Sequence, residues 1–244
     1  MQVRARAAGA ALSVAALILG ASACSADLGG TEDTDGSTPS SGARTTNQQG
    51  RYSGLPEPCG SVSQETLAQL LPDADPEVYA GSPLATFDTG RRVGCEWRNA
   101  DGADSQRLTV DFLRVVSYES DGSDDDQAGL DFEARAEEFG LTIGEEADDT
   151  ERESPGTLSP TQGRPQANAR QLDGIGHAAF LDDRLTSGDA TTRRDVTLAF
   201  RNANVIVTVV YTVSTIQPDT APDSARSQQY AETVAEQLAA GLDG

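Results

Sequence analysis

His177 is the one histidine of the chain, so it is the side chain whose ordinary pKa suits base catalysis near neutral pH. A serine triad would set it beside Asp182 or Asp183 and an activated serine, but the sequence contains no G-x-S-x-G elbow. His177 therefore reads as a histidine at the entrance of a strand. Asp121, Asp124, Asp125 and Asp126 carry the chemistry of a calcium loop. An EF-hand starting at Asp121 needs glycine where Asp126 stands, and one starting at Asp124 needs glutamate where Arg135 stands. The run reads instead as a solvated acidic loop ahead of a helix. Paired carboxylates for glycoside cleavage fall at a suitable separation somewhere among 39 acids, so abundance singles out no pair. Gly174 and Gly176 lack the third glycine and the helix of a nucleotide fingerprint and read as a turn. Trp97 could stack on a sugar, but an inward strand position two residues from Cys95 favours packing against a disulfide. The pairs Arg91-Arg92 and Arg193-Arg194 could grip an anion. In so acidic a chain they read as solvated or paired with acids. No catalytic residue, metal or cofactor is expected, and the ligand-binding residues stay unassigned.

The strongest chemical signal lies at the amino end. Arg4 and Arg6 precede an apolar run over residues 10–19, and Gly20, Ala21, Ser22 and Ala23 lead into Cys24. That layout is an export signal. Its apolar run is about half of the ~20 residues that a membrane-spanning helix needs. Ala5 separates the two arginines, which argues for the ordinary secretory route over the twin-arginine one. Small residues running into Cys24 resemble the lipobox of bacterial lipoproteins. The resemblance implies cleavage after residue 23 and diacylation of the Cys24 thiol, and two acyl chains anchor firmly where one is marginal. Ala21 stands where lipoboxes usually carry leucine, and Ala21-Ser22-Ala23 also fits the general signal peptidase, so simple secretion is the alternative.

Lipid on Cys24 leaves Cys59 and Cys95 as a pair among three cysteines, and a disulfide between them is expected in an exported chain. Closing a span of that length stabilises by about 4 kcal/mol in the chain-entropy model. Two isolated cysteines and one histidine cannot supply a four-ligand structural zinc site.

Losing Arg4 and Arg6 with the signal takes the formal charge from -21 to -23. Such a surface repels nucleic acid and anionic lipid. All 18 basic residues are arginine. Residues 24–54 hold only Leu28 and Tyr52 as large apolar side chains, which is too little for a core, and read as a disordered tether spanning roughly 30 Å. Residues 55–244 suit a single domain.

Within it, Ser61 and Gln64 form a capping box before a helix carrying Leu67, Leu70 and Leu71, which Pro72 stops. Residues 73–90 read mostly as loop. Val93, Cys95 and Trp97 alternate with polar residues, as do Leu108, Val110 and Phe112, and a turn at Asp101-Gly102 joins the two strands into a hairpin. A helix over 127–139 aligns Phe132, Ala136 and Phe139. Residues 144–169 hold Leu158 as their only large apolar side chain and read as a disordered insertion, with a functional lid as the alternative. Residues 172–181 turn into a short strand. Val196, Leu198 and Phe200 then alternate, residues 202–204 turn, and residues 205–213 form a strand apolar on both faces that belongs at the sheet's centre. Ser224 caps a last helix through Tyr230, Val234 and Leu238. The expected fold is α+β: a mainly antiparallel sheet of two hairpins plus a short strand, packed with about three helices.

LPEPCG at 55–60, CEW at 95–97, GIGHAA at 174–179, NVIVTVVY at 204–211 and the terminal helix together resemble the actinobacterial lipoproteins grouped as domain of unknown function 3558. The likeness covers most of residues 55–242. It implies a surface lipoprotein with a paired cysteine, an architecture similar to Mog1/PsbP-like sandwiches, and no activity. The expectation is a non-catalytic extracytoplasmic domain that binds an envelope protein or small ligand as a sensor or accessory subunit. An envelope hydrolase using paired carboxylates is the alternative. A transporter's solute-binding component is disfavoured, since one domain of this length lacks a second lobe.

Overall fold

The strand that is apolar on both faces sits at the middle of the sheet. In the computed structural model, which describes residues 49–143, 169–217 and 219–243, this strand is β7 (Val205–Thr215). On one side it pairs with β3 (Asp104–Arg114) and on the other with β6 (Thr192–Asn202). β2 (Arg92–Asp101) and β1 (Ser82–Pro83) extend the sheet beyond β3, and β5 (Ala178–Ser187) and β4 (Arg170–Leu172) extend it beyond β6. The order is β1-β2-β3-β7-β6-β5-β4, antiparallel at every step.

The α+β class holds, but the sheet is larger than two hairpins and a short strand. Among the described residues it has seven strands. The short strand expected to end at Leu181 runs on to Ser187 and makes a further hairpin with β6. Its second half is polar and carries no alternation to mark it, and local polarity says nothing about a partner that neutralises it. β1 forms inside the stretch read as loop, after a 3-10 turn at Pro76–Ala80.

Side chains alternate across the sheet with period two, so neighbouring residues feed different layers. Leu198 and Phe200 of β6, Val207 and Val209 of β7, and Val110 and Phe112 of β3 point into the larger core. α1 (Gln64–Leu70) covers it with Leu67 and Leu70, and α3 (Ser224–Asp243) with Ala231, Val234 and Leu238. Phe180, Ala199 and Ile206 point the other way, onto α2 (Asp124–Glu138), where Ala128, Phe132 and Ala136 close a smaller cluster. Phe180 meets Phe132 and Phe139 at centroid distances of 5.5 and 5.2 Å.

Two caps differ from expectation by one or two residues. Ser63, not Ser61, caps α1, its hydroxyl accepting from the Thr66 N–H, while Ser61 Oγ donates to the Pro58 carbonyl. At α3 the Asp223 carboxylate accepts from the Arg226 N–H at 2.7 Å, and the Ser224 hydroxyl instead donates to Asp183.

Candidate functional site

Cys59 and Cys95 meet at disulfide distance, with Cα atoms 5.1 Å apart, tying the segment before α1 to β2 beneath the larger core. Trp97 is buried beside them and donates its indole N–H to the Tyr79 carbonyl at 3.2 Å. Gly81 completes the corner in the left-handed region (φ 68°), where a Cβ would stand 2.5 Å from the Cys95 sulfur. The leader at 1–23, Cys24, most of the 24–54 tether and the 144–168 part of the insertion lie outside the described residues.

The richest polar assembly forms where the β6–β7 turn, the amino end of α2 and the first described residues meet. Ala203 takes a positive φ of 49° in that turn, a conformation costly for a side chain bearing Cβ. Two contacts hold it: its N–H donates to His177 Nδ1 at 3.2 Å, and its carbonyl accepts from Arg201 at 3.2 Å. With Nδ1 accepting, Nε2 carries the proton of the neutral imidazole. The histidine stands one residue before β5, as its sequence context implied, and its own N–H bonds the Arg201 carbonyl at 2.8 Å.

Asn204 is fully buried and works as a clamp. Its Oδ1 accepts from the Tyr52 N–H and its Nδ2 donates to the Tyr52 carbonyl, each at 2.9 Å. The backbone approaches so closely that a Cβ on Gly50 would lie 2.2 Å from Asn204 Cγ, which leaves room for glycine alone. Asp124 completes the junction, one carboxylate oxygen accepting from the Gly50 N–H at 3.0 Å and the other from the Ser117 N–H at 2.8 Å. Both oxygens of this calcium candidate thus serve backbone donors. Tyr52 packs against the larger core, with its hydroxyl 3.4 Å from Asp243 at the end of α3. Burial raises its pKa above the ordinary tyrosine value, with Arg51 opposing. Residues 50–52, read as part of the tether, are therefore seated on the domain.

Beside this junction a groove of about 600 Å³ runs between α2 and the sheet. Asp125, Asp126 and Glu133 line one wall, His177 and Arg201 the other, with Leu130, Phe132 and Ile143 supplying apolar surface. A buried oxygen of Asp125, Oδ1, has no hydrogen-bond partner among the described residues. The groove unites three residues that the sequence singled out, Asp125, Asp126 and His177, with Arg201 and Glu133, which it did not. Carboxylates facing the Arg201 guanidinium and the His177 imidazole over an apolar floor suit a ligand carrying charges of both signs. Among the described residues no three acid, histidine or cysteine side chains converge on a metal position.

Asp121 is exposed in the loop ahead of α2. Gly174 and Gly176 adopt positive φ, as a turn requires. Arg91 lies over the Tyr118 ring at 5.4 Å, Arg92 pairs with Asp111 at 2.9 Å and Arg193 with Asp195 at 2.6 Å. Arg194 is part-buried against Asp183 and donates to the Pro222 carbonyl at 2.8 Å.

Asp182 and Asp183, considered for a triad, point to opposite faces. Burial alone would raise the pKa of Asp183, but hydrogen bonds from Ser224, Gln228 and Arg194, with the Arg194 charge, outweigh it and leave the pKa below the ordinary carboxylate value. Burial dominates at Asp182 and raises its pKa, although Arg184 pairs with it at 2.7 Å. His177 is bonded to Ala203 and not to either acid. No protein-family model matches the chain, and no curated protein matches it at a significant level.

Proposed function

We propose that the protein is a lipoprotein anchored through Cys24 to the extracytoplasmic face of the cell membrane, with a non-catalytic binding domain at the end of a tether. The observation that carries this reading is the cysteine arithmetic. One cysteine follows an export signal, and the other two are at disulfide distance, as an oxidising compartment favours. The kinship to the actinobacterial family of domain of unknown function 3558, and a Mog1/PsbP-like layering, belong to the same proposal. An antiparallel sheet with helices on both faces supports them. No described helix is long and apolar enough to cross a membrane.

The groove between α2 and the sheet is the place assigned to the ligand, a small zwitterion or a segment of an envelope protein. A carboxylate hydrolase needs an acid of raised pKa within its cleft. Asp182, whose pKa burial raises, does not line this groove. Metabolic labelling with a palmitate analogue tests the anchor: wild-type chain incorporates label into the membrane fraction, and Cys24→Ala is unlabelled and shed. Equal shedding of the two forms would overturn the proposal.

A further inference from the structure

Two large aromatic side chains are left in solvent at the corner where the chain joins the domain. Phe87, in the loop before β2, is fully exposed, and Tyr118, in the loop after β3, is 80% exposed. Arg91 links the two loops. It follows Phe87 by one turn, its backbone N–H bonding the Asp88 carbonyl, while its guanidinium lies over the Tyr118 ring and bonds the Tyr118 hydroxyl at 2.5 Å. The same corner receives the chain from Cys24, because the Asp124 carboxylate that holds the Gly50 N–H also holds Ser117, one residue before Tyr118.

Scattered single apolar residues are ordinary on a surface. A phenylalanine and a tyrosine joined by an arginine at the point of attachment are a different arrangement. Phe supplies apolar area, Tyr supplies a ring with one wet end, and Arg keeps its charge at headgroup depth while its stem stays apolar. We infer that this corner faces the bilayer, with Phe87 and Tyr118 seated at the headgroup–acyl boundary of a zwitterionic lipid surface. Charge selects that lipid: Asp88, Glu119 and Asp121 lie beside Arg91 and Tyr118 in the two loops, and the formal charge of -23 left once Arg4 and Arg6 are removed repels anionic headgroups. The inference rests on the anchor proposed above. Twenty-five residues separate Cys24 from Gly50, and the tether proposed above would reach roughly 30 Å. The tether so holds the corner at an effective concentration of about millimolar against the membrane, where a weak patch suffices.

The test uses the full acylated chain in phosphatidylcholine vesicles with and without brominated acyl chains, and a Phe87→Trp variant. Buried Trp97, the one native tryptophan, serves as the internal control of folding. Brominated lipid is expected to remove most of the emission that Phe87→Trp adds, while leaving unchanged the wild-type emission and that of Leu185→Trp, an exposed position in the second half of β5. Phe87→Trp emission that ignores bromine in chain that floats with the vesicles overturns the inference and leaves the anchor intact. A blue shift that grows with protein concentration but ignores bromine also overturns it, assigning the corner to a second copy. Failure of the wild-type chain to float, or flotation of Cys24→Ala to the same extent, overturns the anchor and this inference with it.

Discussion

The two faces of the sheet are built to different standards. Toward α1 and α3 the strands bury a continuous apolar layer reinforced by Cys59–Cys95 and Trp97. Toward α2 the apolar cluster is small, and charged pairs such as Arg92 with Asp111 and Arg184 with Asp182 share that face, Arg184 lying over the Phe139 ring at 5.3 Å. Consecutive residues of β5 show the contrast at its sharpest. Asp183 has partners from α3 and β6, whereas Asp182, on the α2 side, keeps a buried Oδ1 with none among the described residues. The lesson is a division of labour: one face carries most of the apolar core, and the other leaves a groove beside α2.

Truncation on each face gives the largest test. Phe200→Ala, in the larger core, should cost about 4 kcal/mol, and Phe139→Ala, at the edge of the smaller cluster, about 1–2 kcal/mol. Urea unfolding midpoints measure both, and equal losses would break the comparison.

The adjacent aspartates come next. Asp183→Ala should cost about 3 kcal/mol, because it leaves Arg194 part-buried without its carboxylate. Asp182→Asn should be neutral or stabilise by up to ~1 kcal/mol at pH 7, since it removes a buried charge with an unpaired oxygen. Their pH signatures are opposite. The folded pKa of Asp183 is lowered, so its contribution is present above the unfolded carboxylate value, about 4, and is lost as pH falls through the folded value. The folded pKa of Asp182 is raised, so its contribution is present below about pH 4 and is lost as pH rises through the folded value. Denaturation across pH 2–7 reads both. An Asp182→Asn gain that persists unchanged at pH 3 would refute the burial argument.

The last test concerns the junction. Asn204→Ala removes the clamp on Tyr52 and should cost about 2 kcal/mol, with limited proteolysis newly cutting at residues 50–54. An unchanged digestion pattern would mean that the turn seats the chain without Asn204.

How far the sequence reaches follows the range of the forces involved. β7 was legible because valines on both faces admit only a central strand, and the Cys59–Cys95 pair followed from counting. The far half of β5 was not legible, because the groups that absorb the Asp183 charge, Ser224 and Gln228, lie 41 and 45 residues away. At the candidate site His177 and the α2 aspartates could be named, but their partners are backbone groups of Ala203, Gly50 and Ser117, which no side-chain pattern marks. Asn204 carried a signal of its own. It was read as a turn residue, and its second duty to Tyr52 spans 152 positions.

The intact mass of the chain recovered from host membranes tests the central claim most directly. The account expects a chain beginning at Cys24, heavier by a diacylglyceryl group and lighter by the two hydrogens lost on joining Cys59 to Cys95. An unacylated chain, or one retaining residues 1–23 or two free thiols, would contradict it.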